Sequence, residues 1–269
     1  MKIFFSKYIS KSAAFSHIGH SVSDIGTGTG ELPVAQREVT AALTGLLTTL
    51  HDKVAPHYYS RTIVLELLAA LEQKSPFTAQ HSMGVATVAR ILARALGLDV
   101  IKVERISMAA LLHDVGKLVI PNRILEKKHV LSETERLYIQ THALFTNIIL
   151  SAFPTFDTIR DIAALHHEHL NGTGYPYGCT AAGLSLETRI VTVADIFMAL
   201  TEERPYRKSM SNSAALHKLN TLASEGIVDN RVVNCAEEKL LVFDRSSSVW
   251  YPSRVSISIA LNTDAPQYR

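Results

Sequence analysis

The run His113-Asp114-Val115-Gly116-Lys117 places an imidazole beside a carboxylate, the ligand types that hold a divalent transition metal. In a helix, neighbouring residues differ by about 100°, so the pair can straddle two metals or share one. Gly116 lets the backbone break sharply after the pair, and Lys117 supplies a cation where a phosphate can dock. Taken alone, the run is also what a surface His-Asp pair at a helix end looks like. A second stretch weighs against that bland reading: His166-His167-Glu168-His169-Leu170-Asn171-Gly172-Thr173-Gly174-Tyr175-Pro176. Two adjacent histidines lead into a loop whose Gly172, Gly174 and Pro176 specify a rigid turn rather than a helix. Core packing has no use for two such runs in one chain.

Outward from these runs the apolar pattern is helical. Leu32, Val39, Leu43, Leu46, Leu47 and Leu50 predict a helix over 31–50, and a second runs from Thr62 to Glu72 and stops at Pro76. Gln80 to Leu96 presents Val85, Val88, Ala89, Leu92 and Ala93 on one face, closes at Gly97 and carries His81 at its start. Asp99 caps the next helix, which delivers the His-Asp pair at its C-terminal end. Ser132 and Glu135 have capping-box spacing for a helix through Leu150 that holds His142. Further helices are expected over Arg160–His167, Leu186–Thr201 with Asp195 inside an apolar run, and Ser213–Leu222. Only Val255–Ile259 alternates like a strand. The fold class expected is all-α.

The two motifs, in this order, resemble those of the HD-GYP family, phosphodiesterases that cleave cyclic di-GMP, and the resemblance runs from about Thr62 to Val233. It implies an HD-domain helical bundle with an HD-GYP loop and extra C-terminal helices. The expected units are a linker and small helical region at 1–60, the phosphohydrolase domain at 61–234, and a tail of unknown role at 235–269. His81, His113, Asp114, His142, His166, His167 and Asp195 each match a metal position of the family pattern. Singly, a helical histidine such as His142 is more often a half-buried surface residue, and Asp195 could pair with an arginine. A buried carboxylate is nevertheless costly unless paired or metal-bound, and seven matches in order point to a metal centre.

A phosphodiester repels anionic nucleophiles, and water is a weak one. Two metals about 3.5–4 Å apart can bridge a hydroxide, lower its pKa and neutralise the phosphoryl and leaving oxygens. Mixed histidine and aspartate ligation suits iron, manganese or zinc; the resemblance favours iron or manganese, two ions per chain. It further implies that Asp114 bridges the ions, that Lys117 contacts the scissile phosphate, and that Arg204 and Arg207 of Glu203-Arg204-Pro205-Tyr206-Arg207 bind substrate phosphates. Tyr175 belongs to the loop lining the family's substrate cleft, where it either stacks on a base or packs the loop. Asp114 and Lys117 are the catalytic candidates; Lys117, Tyr175, Arg204 and Arg207 are the substrate-binding ones.

Three positions depart from the family pattern. An arginine three residues after the first histidine is replaced by Gly84, Arg-Trp-Asp after His-His-Glu by His169-Leu170-Asn171, and a glutamate four residues before the first histidine by Phe77. The last change points to a two-metal site. The other two bear on support of the ligands and on turnover.

Composition narrows the remaining choices. A net charge of +2 argues against binding a nucleic-acid polymer through phosphate neutralisation. Two cysteines, Cys179 and Cys235, fit a reducing compartment. No apolar run is long enough for a membrane span, and Met1 to Ile9 lack a leader pattern; the location expected is cytoplasmic. Gly26 to Gly30 mimics a phosphate loop without its Gly-Lys-Ser/Thr ending and reads as linker. The leading expectation is hydrolysis of cyclic di-GMP to the linear dinucleotide, and onward to GMP, by a metal-bridging hydroxide. The alternatives are a cyclic-dinucleotide-binding regulator with little or no turnover, and an HD phosphohydrolase acting on another, mixed cyclic, nucleotide. A homodimer mate or a signalling protein is a further partner to consider for the N-terminal region.

Overall fold

The computed structural model describes residues 59–203 and 208–241. The helix expected over 31–50, the glycine run, the phosphate-binding candidates Arg204 and Arg207, and the alternating stretch near the end lie outside them. The described chain is all-α. Its helices are α1 (Tyr59–Lys74), α2 (Pro76–Ala95), α3 (Val100–Leu112), α4 (Asn122–Leu125), α5 (Glu133–Ser151), α6 (Asp157–Ala164), α7 (Leu186–Thr201), α8 (Asn212–Ser224) and α9 (Asn230–Leu240). Short 3-10 turns span Val115–Val119, Pro154–Phe156 and Ala181–Gly183. Among the described residues the β-type pairing is a single bridge between Asn171 and Thr180.

The helix starts follow local chemistry. Ser75 caps α2 by accepting from the Thr78 amide, and Pro76 occupies the first turn, where its missing N–H costs nothing. Pro76 therefore opens α2 as well as closing α1, so α2 begins four residues before the expected Gln80 and His81 lies in its second turn. Asp99 accepts from the Lys102 amide at the start of α3. Ser132 and Glu135 form the reciprocal capping box of α5.

Helix α2 is the axis of the bundle, packed by α1, α3, α7 and α9. Val85, Val88, Ala89 and Leu92 on it are fully buried. Each such aliphatic side chain, withdrawn from water, contributes about 1.5–3 kcal/mol. Helix α5 packs on the 3-10 turn after α3 and on α6, which brings His142 over the His-Asp pair.

Two expectations change. Helix α6 stops at Ala164 rather than His167. The His167 carbonyl accepts instead from the Tyr175 amide of the glycine loop, and the His166 carbonyl from the Thr192 hydroxyl on α7, so both histidines sit on a turn held by tertiary partners. Helix α9, not foreseen, is capped by Asp229 and buries Val232, Val233, Cys235, Ala236 and Leu240. The expected boundary between 234 and 235 thus falls inside a packed helix.

Candidate metal centre

Five segments converge on one buried point. Helix α2 supplies His81, the end of α3 supplies His113 and Asp114, α5 supplies His142, the turn after α6 supplies His166 and His167, and α7 supplies Asp195. Three overlapping sets have ligand atoms within 4.8 Å of one another: His142, His166 and His167; His81, His113 and Asp114; and His113, His166 and Asp195. His142 Nε2 lies 3.2 Å from Asp114 Oδ1, and His113 Nε2 lies 3.4 Å from Asp114 Oδ2. His81 Nε2 is 2.9 Å from Asp195 Oδ1. Two donors on one ion at about 2.1 Å stand roughly 3–3.4 Å apart, so these spacings suit edges of coordination polyhedra. Asp114 turns one oxygen toward His142 and the other toward His113. Its buried Oδ1 has no hydrogen-bond partner among the described residues, which is costly unless a cation completes it. The donor set fits divalent metals.

The candidate ligand rings are aimed by their own helices. His113, His142 and His166 each bring Nδ1 to 2.7 Å from the carbonyl three residues earlier, at Ala110, Ile139 and Ala163. Nδ1–H donates there, so Nε2 carries the free lone pair toward the centre. His81 differs: its Nδ1 lies 2.7 Å from Glu202 Oε2.

Burial lowers the proton affinity of three histidines: His142 falls to about 4, His167 to about 3 with help from His142, and His166 well below its ordinary value. All three are thus held neutral, the form in which an imidazole can ligate. Burial works against ionisation of Asp114, but Lys117 and His113 more than offset it and hold the carboxyl well below the usual range. Asp195 is likewise held low, burial being outweighed by the hydrogen bond to His81 and the charge of His113. For His81, burial is outweighed by hydrogen bonds to Asp195 and Glu202, which raise it to about 9.

The His-Asp pair is clamped to α5. Thr146 Oγ1 donates to the His113 carbonyl at 2.8 Å and accepts from the Gly116 amide at 3.0 Å. Gly116 is required by close approach: a Cβ there would collide with the His142 carbonyl oxygen and lie 2.6 Å from the Thr146 nitrogen. Lys117 Nζ pairs with Asp114 Oδ2 at 2.6 Å.

The glycine loop closes one side. Buried Glu168 accepts from the amides of Tyr177 at 2.6 Å and Cys179 at 2.8 Å, and a Cβ at Gly174 would meet Glu168 Cα at 2.5 Å. The Tyr175–Pro176 peptide is cis. The Tyr175 ring lies 4.7 Å from that of His167, so the loop tyrosine covers a candidate ligand.

The departures from the family pattern have definite places. Asn171 bonds the Thr173 amide and the Glu225 carbonyl, and the Leu170 amide bonds the Ile227 carbonyl, tying the loop to the turn before α9. Gly84 leaves space for Met198, whose Cε a Cβ there would strike. Phe77 stacks on His81 with centroids 6.5 Å apart. Thr146, Glu168 and Glu202 join the site through tertiary contacts that no motif marks. For Glu202 a signal existed: it stands seven residues after Asp195, two turns along the same helical face.

Comparison with known proteins agrees with this geometry. An HD-domain family profile matches residues 64–232. The chain is 44% identical over 158 residues to 3'3'-cGAMP-specific phosphodiesterase 3 of Vibrio cholerae, covering 59% of this chain and 34% of that protein. It is 36% identical over 197 residues to 3'3'-cGAMP-specific phosphodiesterase 1 of the same organism, covering 73% and 44%. A cyclic di-GMP phosphodiesterase of Thermotoga maritima is 33% identical over 165 residues, covering 60% and 45%. The chain thus spans between a third and a half of the length of these relatives. The HD domain of Listeria monocytogenes phosphodiesterase PgpH shares the fold at a TM-score of 0.51 and 19% identity, over 65% of this chain and 95% of that one. No helix among the described residues is long and apolar enough to cross a membrane. With its His-Asp pair, its Gly-Tyr-Pro loop and a profile match over most of its length, the chain belongs to the HD-domain family, in the HD-GYP branch.

Proposed function

We propose that this chain is a metal-dependent phosphodiesterase that opens a guanine-containing cyclic dinucleotide. The observation that carries the reading is the buried set of five histidines and two aspartates around the unpartnered Asp114 Oδ1. His81, His113, Asp114 and Asp195 would hold one ion, and His142, His166, His167 and Asp114 the other, with iron or manganese suiting this nitrogen-rich set. When bound, such ions supply Lewis-acid polarisation of the phosphate and acidify water at neutral pH.

The protein's residues do the rest. Nδ1 contacts fix the rings of His81, His113, His142 and His166, and burial keeps His142, His166 and His167 neutral. Asp114 serves both halves of the ligand set. Lys117, with 21% of its side chain exposed, holds a phosphoryl oxygen beside Asp114. Arg204 and Arg207 fork onto the substrate's phosphates, and Tyr175 walls the pocket above His167. Two free thiols, Cys179 and Cys235, suit a cytoplasmic setting.

Two substrates compete within this reading. The sequence motifs favour cyclic di-GMP, whereas two relatives, at 44% and 36% identity, are named for 3'3'-cGAMP, which favours the mixed nucleotide. The test purifies the chain without oxygen, counts metals, and follows linear product from each nucleotide with ferrous iron or manganese added. About two ions per chain and linear product from at least one nucleotide are expected, and the ratio of kcat/KM values assigns the substrate. Bound but uncut nucleotide in the two-metal protein would refute hydrolysis in favour of a regulatory role. A chain that takes up no metal would refute the centre itself.

A further inference from the structure

We propose that Glu202 is a positioning residue for His81, and through it for only one half of the metal centre. This rests on the two-metal reading above. Three of the ligand histidines anchor Nδ1 on a carbonyl of their own helix or turn. His81 alone among those with an anchored Nδ1 uses a carboxylate, and that carboxylate lies 121 residues away in sequence.

Glu202 follows the last turn of α7, its amide bonded to the Met198 carbonyl. Asp195 and Glu202 thereby grip the two nitrogens of one ring from one helix: Nε2 at 2.9 Å and Nδ1 at 2.7 Å. With Nδ1–H donated to Glu202, Nε2 faces Asp195 Oδ1 and is the nitrogen that would exchange its proton for a metal. Rotating the ring would break that bond inside the core, where Glu202 is 5% exposed and Glu202 Oε1 already lacks a hydrogen-bond partner among the described residues. A buried carboxylate with one unsatisfied oxygen is expensive, and its retention makes sense where cationic charge is to be held nearby.

Gly84 belongs to the same device. It sits one turn after His81 on α2, and a Cβ there would lie 3.4 Å from Glu202 Oε1 and collide with Met198. The side chain missing at position 84 gives Glu202 and Met198 their room. The gap left by one departure from the family pattern is filled by the Met198 methyl, and the carboxylate that aims His81 borders it. His142 faces Asp114 Oδ1, the oxygen turned away from His113, and His167 packs against the His142 ring.

The test compares Glu202→Met, which keeps the side-chain length but cannot accept a hydrogen bond, with Glu202→Gln, whose amide oxygen can. Metal-depleted full-length chain is titrated with manganese or cobalt(II) against a chelator, following the two affinities and the cobalt d–d absorption of each ion. Glu202→Met is expected to weaken one of the two ions about 10–100-fold and to alter one cobalt spectrum, leaving the other unchanged. Glu202→Gln is expected to restore that affinity to within roughly threefold, since it keeps the bond. Wild-type affinities in Glu202→Met, equal weakening of both ions, or a Gln variant as weak as the Met variant would each overturn the assignment. If Glu202→Met does not fold, wild-type affinity in Gln together with tenfold weakening of one ion in Glu202→Leu decides for it; unchanged affinity in Leu decides against. A wild-type chain that binds no ion fails differently: it removes the metal reading, and this inference with it.

Discussion

Replacing Thr146 by valine isolates how the His-Asp pair is held in place. Valine has nearly the same shape, so little packing changes. What disappears is a hydroxyl that is fully buried and makes two bonds at once, to the His113 carbonyl and from the Gly116 amide. The Gly116 N–H is then buried without a partner, at about 1–3 kcal/mol, and the His113 carbonyl loses a bond worth about 1 kcal/mol. The expected loss is about 2–4 kcal/mol. For a packed unit of this size, each kcal/mol moves Tm by about 2–4 °C, so the melting point should fall by roughly 5–15 °C. The assay is urea unfolding in chelator, which removes any metal contribution, with the loss read from the midpoint at an unchanged slope. Thr146→Ser is the control: it keeps the hydroxyl and gives up one buried methyl, about 1 kcal/mol. If valine lies within about 0.5 kcal/mol of wild type, or if serine is as damaging as valine, the hydroxyl bridge is not what holds the pair.

Asp114→Asn keeps the shape but weakens the one group placed toward both halves of the centre. Bound metal measured by elemental analysis should drop below one ion per chain, and linear product formation should fall at least 100-fold. Gly116→Ala forces a Cβ into the backbone of α5; it should destabilise the metal-free chain by about 1–3 kcal/mol, and a wild-type melting point would disprove the close approach. Glu168→Gln presents an amide N–H to one of the two amides that Glu168 now receives; faster proteolysis within residues 168–180 and a raised KM are expected. Asp229 caps α9 and pairs with Arg189 at 2.8 Å. Burial opposes its ionisation, but the Arg189 bond and two backbone amides hold it below its usual value. Its contribution is therefore complete above the ordinary carboxylate range and lost as pH falls through the lowered value. Asp229→Asn keeps a capping oxygen but loses the charge paired with Arg189, which should cost about 0.5–1 kcal/mol at pH 7, and the gap to wild type should shrink at low pH.

Sequence alone fixed what local chemistry can encode. Asp99 and the Ser132/Glu135 box announce helix starts because a cap is satisfied within three residues. The seven candidate ligands are legible only through their match to the HD-GYP pattern in type and order, and the Gly-Tyr-Pro turn because glycine and proline restrict the backbone directly. Helix α9 left a helical recurrence in Val232, Val233, Ala236 and Leu240, but its burial depends on a groove that exists only once α2 is in place. The end of α6 is not legible in the sequence, because whether the helix continues through His166 and His167 depends not on propensity but on which distant donors claim their carbonyls. Tertiary structure alone decided the rest: that Thr146 bridges the His-Asp pair, that Glu168 ties down the loop, and that Glu202 meets His81 across 121 residues. Such partnerships are set by helix packing, which brings together side chains whose separation along the chain carries no period to read.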